Sequence, residues 1–159
     1  MSEPRTERFD TRTQFQQELR SLLARARVTL DLFDPDFALF TLGTPETDAE
    51  LRRFLHAGGT LRLAMHESAW LERNAPRFLR LLRDYSHRIE CRVTPRGLRQ
   101  LTDSFAIADA THVVRRFHSD HLRGGAAFDA PDEADLPRER FNAIWAESLP
   151  GLHPTVTGL

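Results

Sequence analysis

The stretch Val28-Thr-Leu-Asp-Leu-Phe-Asp-Pro-Asp36 decides the fold class of this chain. Apolar residues alternate at Val28, Leu30 and Leu32, which is typical of a β-strand. The segment Asp34-Pro-Asp36 then ends the alternation as a turn. The segments on both sides have apolar residues at helical spacing. A strand between two helices predicts an α/β domain with a partly parallel sheet.

Outward from this stretch, helical and strand periods alternate along most of the chain. Two later apolar runs, 104–108 and 112–117, predict a hairpin and therefore add antiparallel strands. The other predicted elements are helices that begin at Asp10 or Thr11, at Thr47, near Pro76 and near Glu133, and strands at 61–65, 89–93 and 126–128. We predict one domain over 9–148, a three-layer α/β/α sandwich with a mixed, partly parallel sheet. A tail over 149–159 should be flexible.

Composition limits the classes of function. The chain has 159 residues, a formal net charge of −1 and a single cysteine, Cys91, so it has no internal disulfide and no overall attraction to nucleic acid or anionic lipid. All 22 basic residues are arginine, which excludes any mechanism that needs a lysine, such as a Schiff base or a P-loop. No apolar run approaches the ~20 residues of a transmembrane helix, and the polar N-terminus does not resemble a signal peptide. We therefore expect a cytoplasmic protein without a membrane span.

One short motif connects the predicted hairpin with a known family. The motif lies in the stretch Thr102-Asp-Ser-Phe-Ala-Ile-Ala-Asp109. Its position, and the order of elements over 12–148, resemble one half of the phospholipase D-like superfamily, whose motif is H-x-K followed by four residues and Asp. Asp109 matches this motif, whereas Thr102 stands in the place of the histidine and Ser104 in the place of the lysine.

The resemblance implies a degenerate active site. In the superfamily the histidine attacks phosphorus, the lysine helps to hold the phosphate, and a second motif supplies the acid. Threonine is a much weaker nucleophile than imidazole and serine brings no positive charge, so Thr102 and Ser104 exclude the standard reaction. A second copy of the chain would carry the same two losses. Because superfamily halves usually pair, the resemblance also implies a homodimer.

Two further stretches, 115–124 and 141–145, resemble an uncharacterised group of bacterial single-domain proteins. This second resemblance implies no activity. The sequence contains no Ser–His–Asp signature, no G-x-G-x-x-G motif and no P-loop, so we predict no cofactor and leave the catalytic residues unassigned.

The densest group of candidate ligand-binding residues follows the predicted hairpin turn and consists of Arg115, Arg116, His118, His121 and Arg123. Guanidinium groups bind phosphate in a bidentate manner, and imidazoles titrate near neutrality. Arg116 and His118 share one face of a strand, so we predict that this pair contacts a phosphate-bearing ligand or an acidic partner. We also predict Asp109, the matching motif residue, to be a ligand-binding residue. The alternative is a polar strand end at which the arginines pair with Asp103, Asp109 or Asp120.

Two metal-dependent alternatives carry less support. The pair His118-x-x-His121, with a carboxylate such as Asp120, does not have a recognised zinc spacing, and the neighbouring arginines repel a dication, so we predict no metal site. Asp31 and the segment Asp34-Pro-Asp36 resemble the acidic strand end of a haloacid dehalogenase-type phosphatase. A proline-containing turn capped by aspartates explains the same residues better.

A basic stripe on the predicted third helix offers a different surface, with arginines at helical spacing: Arg73, Arg77, Arg80 and Arg83. This spacing places them along one side of the helix, which is either a solvated face or a surface that contacts nucleic acid.

Three functions therefore compete. The first is a non-catalytic domain that binds a phosphate-bearing ligand or an acidic partner through the Arg/His cluster. The second is a diverged phosphoesterase that uses His118 or His121 as nucleophile or general base. The third is a structural protein-interaction module whose contact surface includes the arginine stripe and the tryptophans Trp70 and Trp145.

Overall fold

The computed structural model describes residues 3–153. Its elements, in chain order, are β1 (Arg5–Phe9), α1 (Arg12–Arg25), β2 (Thr29–Phe33), α2 (Pro45–His56), β3 (Thr60–Met65), α3 (Ala69–Asn74), α4 (Pro76–Asp84), β4 (Ile89–Val93), β5 (Ser104–Ala108), β6 (His112–Arg116), β7 (Gly124–Phe128), α5 (Pro131–Glu147) and β8 (Leu149–Pro150).

Within residues 3–153, eight strands form one mixed sheet in the order β1-β7-β6-β5-β2-β3-β4-β8. The pairs β2–β3 and β3–β4 are parallel, because helical connections join these strands, whereas β5 and β6 form the predicted antiparallel hairpin. Residue Asp34 directly follows β2, and Arg116 is paired with Ser104 at the open end of the hairpin. The antiparallel pairing of β2 with β5 brings these residues to the same edge of the sheet.

Two apolar cores cover the two faces of the sheet. The larger core packs helices α1, α2 and α4 against one face and includes Phe15, Phe54 and Phe78. The smaller core packs α5 against the other face through Phe141, Ile144 and Trp145. The three-layer α/β/α sandwich with a mixed sheet is therefore confirmed. Cys91 is buried in the larger core, where burial raises the pKa of its thiol to about 12.

The structure moves several predicted boundaries. The helix predicted at Thr47 begins two residues earlier, at Pro45, because Thr44 is the N-cap and its hydroxyl accepts the backbone N–H of Thr47. Strand β1 lies before the predicted domain start at residue 9 and pairs with β7. The predicted tail begins with β8, which pairs with β4, and the Gly151 N–H donates to the Cys91 carbonyl at 3.0 Å. Residues 154–159 of that tail lie outside the described residues.

The basic stripe is not one helix face. A break at Ala75 separates α3, which carries Arg73, from α4, which carries the other three arginines. The Arg77 guanidinium donates to the Gly43 carbonyl at 2.6 Å. Nε of Arg83 lies 3.9 Å from Oδ1 of Asp84. The prediction of one continuous stripe was therefore wrong, because Pro76 starts a new helix. None of the helices within 3–153 has the length and apolar character that crossing a membrane requires.

Candidate functional site

Thr102 and Ser104 lie at the edge of the sheet where the parallel strands end. Asp34 follows β2, His66 follows β3 and Thr94 follows β4, while β5 begins at Ser104 and β6 ends at Arg116. Ligands of open α/β sheets bind at this edge, because the chain leaves the strands there and the loops can diverge. The five side chains therefore occupy the expected position of a site, although the sequence predicted only part of this set.

A buried network fills the place of the motif lysine. The Ser104 hydroxyl donates to the Asp34 carboxylate, and Nη2 of Arg116 donates to the same Asp34 oxygen at 3.1 Å and to the Ser104 hydroxyl oxygen at 3.1 Å. The side chains of Arg116 and Asp34 are only 5% and 1% exposed. The positive charge next to Ser104 thus comes from Arg116, and it is already paired with a carboxylate.

Burial and hydrogen bonding have opposite effects on the ionisation of Asp34. Its second carboxylate oxygen accepts the backbone N–H groups of Asp36 at 3.0 Å and Phe37 at 2.6 Å. Burial raises the pKa of Asp34 above its ordinary value, and the hydrogen bonds from Ser104 and the two N–H groups, with the charge of Arg116, oppose this shift. Arg116 and the two backbone N–H groups can only donate, so three of the four hydrogen bonds to Asp34 favour its carboxylate form. Asp34 is therefore a structural partner of Arg116.

Arg116 does not face solvent, which corrects the prediction that it lies with His118 over a ligand. The strand alternates, so Arg116 points toward α1, where its guanidinium carbon lies 5.9 Å from the Phe15 ring centroid. Its Nη1 donates to the carbonyl of Ser119 at 3.4 Å, whereas its Nε is buried without a hydrogen-bond partner. Arg116 therefore connects the larger core to the loop that follows β6. Its ion-pair partner is Asp34, and not Asp103, Asp109 or Asp120.

His66 was not singled out by the sequence analysis, although it lies at the same edge. Its Nδ1 is 2.6 Å from the Thr94 hydroxyl and its Nε2 is 2.6 Å from the Leu101 carbonyl oxygen. The ring also packs edge-on against Phe33. Both nitrogens are therefore occupied, and the imidazole holds the segment before Thr102 in place.

The loop after β6, residues 118–123, brings His118, His121 and Arg123 together. The two imidazole centroids are 5.7 Å apart, and both residues lie at the surface. At the base of the loop, the Phe117 N–H donates to the Arg123 carbonyl at 3.0 Å, so these two residues face each other. Arg115 lies nearby on the α5 side of the sheet, opposite to Arg116 in orientation.

Backbone hydrogen bonds assign the tautomers of both loop histidines. The N–H of Asp120 donates to Nδ1 of His118 at 3.0 Å, and the N–H of Arg123 donates to Nδ1 of His121 at 3.3 Å. The Asp120 carboxylate lies 3.5 Å from the same Nδ1 of His118, but it is 86% exposed, so the shorter contact with the N–H fixes the role of this nitrogen. When Nδ1 accepts, the proton of a neutral imidazole is on Nε2. Both Nε2 atoms are therefore hydrogen-bond donors.

The structure separates Asp109 from the Arg/His cluster. Asp109 lies in the β5–β6 turn, at the opposite end of the hairpin from Arg116. Its carboxylate accepts the backbone N–H groups of Arg27, Val28 and Thr29 at 2.7–3.1 Å. Asp109 therefore anchors the start of β2 and lies away from the other residues predicted to bind a ligand.

Asp31 and Asp36, near the end of β2, have partners within the protein. Asp31 pairs with Arg62 at 2.8 Å, and Asp36 accepts the N–H of Ala38 at 2.9 Å as a turn residue. Within residues 3–153, no three His, Cys, Asp or Glu side chains are placed to bind one ion. For His118 and His121, coordination through Nε2 would also require the proton to move to Nδ1, where each already faces an N–H donor.

Comparisons with known proteins agree with this architecture. A family model described as a domain of unknown function (DUF7931) matches residues 11–153. A search of curated proteins gives no match.

Three solved structures are similar in fold. The chain superposes with a phospholipase D family member, Nuc from Salmonella typhimurium, with a TM-score of 0.68 and 14% identity over 94% of this chain and 99% of the other. An archaeal chromatin protein, TrmBL2, gives 0.69 and 14% identity over 92% of this chain and 54% of its own. A phosphatidylserine synthase of Haemophilus influenzae gives 0.63 and 14% identity over 96% of this chain and 40% of its own. At such identities the comparison establishes the phospholipase D-like fold alone.

Proposed function

Since this chain belongs to the DUF7931 family of domains of unknown function and has a phospholipase D-like fold, we propose that it is a non-catalytic domain that binds a phosphate-bearing ligand. The ligand site is the loop 118–123 with the neighbouring Arg115. The observation that carries the proposal is the pair of backbone hydrogen bonds to Nδ1 of His118 and His121, which make each Nε2–H a donor on the same loop as Arg123.

The non-catalytic part of the proposal rests on the closed network. A nucleophile is required where Thr102 stands, and a free cation is required where Ser104 stands. Ser104 and Arg116 are already bound to the same buried carboxylate, and His66, the nearest imidazole at this edge, has both nitrogens in contact. Neither Ser104 nor His66 therefore combines a free lone pair with an adjacent free positive charge, and the Thr102 hydroxyl is a weak nucleophile.

The binding part of the proposal rests on donors. A phosphate group offers three strong acceptor oxygens and negative charge, and N–H groups and guanidiniums are its ordinary protein ligands. The loop supplies two Nε2–H donors and the Arg123 guanidinium, which has no ion-pair partner among residues 3–153. A carboxylate-bearing protein partner would be bound by the same donors.

The structural neighbours are compatible with this reading. One is named as a phospholipase D family member, another as a phosphatidylserine synthase and a third as a chromatin protein with a mode of DNA binding. Phospholipids and DNA both carry phosphate groups. The fold alone does not select the ligand. Support for a phosphate-bearing ligand comes from the residues of the loop 118–123.

The diverged phosphoesterase is less well supported. A histidine that attacks phosphorus or removes a proton through Nε2 needs its lone pair on Nε2. The backbone N–H groups at Nδ1 of His118 and His121 favour the opposite tautomer. A homodimer remains an expectation from the superfamily.

The experiment is thermal denaturation of the wild type with inorganic phosphate and sugar phosphates. A ligand at about a hundred times its Kd adds about 2.7 kcal/mol to the free energy of unfolding, which is a visible shift in Tm. We expect this shift in the wild type, its loss in His118→Ala/His121→Ala and in Arg123→Ala, and a partial shift in His118→Gln/His121→Gln, because the Gln amide offers an N–H near the position of Nε2.

The matched control is His56→Ala, which removes an exposed histidine from the end of α2. Its phosphate shift should equal that of the wild type. The proposal fails if no phosphate compound shifts the wild type, or if the double alanine variant keeps the full shift. Hydrolysis of bis(p-nitrophenyl) phosphate by the wild type that disappears in His118→Ala or His121→Ala would favour the phosphoesterase instead.

A further inference from the structure

We infer that the ligand of this site is a nucleotide, a phosphate ester whose single aromatic base stacks on Phe117 while its phosphate binds to the loop 118–123. This inference rests on the proposed function and names the ligand class. It starts from Phe117, a large aromatic side chain that is 53% exposed at the end of β6. A phenylalanine that exposes half of its surface beside several hydrogen-bond donors for phosphate is suited to contact a ligand.

The position of Phe117 joins the phosphate loop to an open part of the sheet. By strand alternation its ring lies on the α5 side, as do Val113 and Arg115. On the same face, Gly125 of β7 and residues of β1 line a depression together with Val113 and Arg115. Because Gly125 has no side chain and is only partly buried, a planar group can approach the sheet there.

Three depressions meet at Phe117. They have volumes of about 390, 420 and 310 Å³, and Phe117 lines all of them. Ligand sites for small molecules are typically ~300–1,000 Å³, so each depression suits one ring system or one sugar phosphate. Arg123 shares one depression with Phe117, which places a guanidinium of the phosphate loop beside the proposed base site. Thr102, in the place of the motif histidine, borders another.

The arginines around Phe117 are available. Arg8, Arg115 and Arg123 line these depressions, and none of their side chains has an ion-pair or hydrogen-bond partner in the part of the chain that the structure describes. The Arg115 guanidinium carbon lies 5.7 Å from the centroid of the Phe117 ring. A base on Phe117 would therefore also contact a guanidinium plane, which stacks on aromatic rings.

The charge balance favours one nucleotide over a nucleic-acid strand. Glu7, Asp10 and Glu133 line the same depressions, and the Arg140 guanidinium is paired with Asp103 at 2.7 Å. Binding of a strand depends on many arginine or lysine contacts that displace counterions. Three free arginines opposed by three acids, on a chain of net charge −1, can bind one phosphate group but do not form a track for several.

The experiment compares adenosine 5′-monophosphate, ribose 5-phosphate and inorganic phosphate by isothermal titration calorimetry. Base–aromatic stacking is worth about 1–3 kcal/mol, so the nucleotide should bind roughly 5- to 150-fold more tightly than ribose 5-phosphate. In Phe117→Leu, which keeps an apolar side chain but removes the ring, this difference should vanish. The affinity for ribose 5-phosphate should not change.

A matched control is Leu136→Ala, which trims another exposed apolar side chain, on α5, and should change neither affinity. Equal binding of the nucleotide and ribose 5-phosphate by the wild type overturns the inference and leaves the proposed function intact. Failure of all three compounds to bind overturns both. A single-stranded oligonucleotide that binds far more tightly than the nucleotide, with a steep dependence on salt, would replace the nucleotide by a strand.

Discussion

Arg115 and Arg116 are neighbours in the chain and differ in almost every structural respect. Arg116 is 5% exposed and bound to a carboxylate beneath the sheet edge, whereas Arg115 is exposed beside Phe117 without an ion-pair partner among residues 3–153. Strand alternation alone produces this difference, because it sends consecutive side chains to opposite faces. A cluster of basic residues in a sequence therefore mixes cations that stabilise the fold with cations that remain free for a ligand.

The largest expected effect separates these two arginines. Arg116→Met leaves Asp34 as a buried carboxylate without its counterion, and we expect a loss of about 3–5 kcal/mol in the free energy of unfolding, measured by urea denaturation. Arg115→Met should change it by less than about 0.5 kcal/mol, because an exposed side chain without partners is removed.

A double variant sharpens the same contrast. Asp34→Asn combined with Arg116→Met removes both charges, so it should be more stable than the sum of the two single losses predicts. Strict additivity would contradict a direct coupling between these residues.

A second comparison concerns Asp109, for which one substitution removes the hydrogen-bond acceptor and another removes only the charge. Asp109→Ala removes the acceptor of three backbone N–H groups, which should cost about 1–3 kcal/mol in the free energy of unfolding. Asp109→Asn should cost less, because its amide oxygen still accepts and because asparagine tolerates the left-handed backbone at φ 56°. Loss of phosphate binding in Asp109→Asn, without a change in stability, would contradict the purely structural role.

A third comparison concerns histidines, and here the sign of the pH dependence is fixed by burial. Burial lowers the pKa of His112, and its Nδ1 accepts the N–H of Asp129 at 2.9 Å. The unfolded chain binds the proton first, so the free energy of unfolding should decrease as the pH falls below about 6.5, by less than about 1.4 kcal/mol per pH unit. His112→Asn keeps an acceptor but does not titrate.

The measurement is urea denaturation of both proteins between pH 5 and 7.5. The free energy of unfolding of His112→Asn should depend less steeply on pH than that of the wild type. An identical slope in wild type and variant would show that His112 is not responsible for it.

The smallest expected effect belongs to the ligand loop. His118→Ala/His121→Ala should change the free energy of unfolding without ligand by less than about 0.5 kcal/mol, because both rings lie at the surface. Thermal denaturation without ligand measures this change. A large loss of stability would mean that the two imidazoles hold the loop together, and it would contradict the contrast between the buried network around Arg116 and the open loop 118–123.

The sequence was sufficient for the sheet interior and insufficient for its edges. Leu30 and Leu32 alternate because β2 is buried between two layers, and this periodicity is visible without a structure. Strand β1 was missed because four of its five residues are exposed, so no apolar alternation marks it. The start of α2 was misplaced because Thr44 and Thr47 are both suitable caps and only the backbone geometry selects Thr44.

The sequence predicted most of the residues of the candidate site, but it did not predict which of their side chains bind one another. The cluster of arginines and histidines after β6 was visible, but Asp34 lies 82 residues from Arg116 in the chain, and only the strand order brings them together. His66 carried one usable signal, its position directly after the apolar strand β3. The tautomers of His118 and His121 depend on single backbone N–H groups, which no sequence pattern encodes.

The two outermost strands have a consequence for how copies of the domain can meet. Within the described residues, β8 is two residues long and ends in a proline that cannot donate to a further strand, and β1 exposes charged side chains along its length. Short, charged and proline-bearing borders discourage strand-to-strand polymerisation. Growth of the sheet from one molecule into the next is therefore disfavoured, which protects the domain from aggregation. Any association of two copies is directed to the helices and loops.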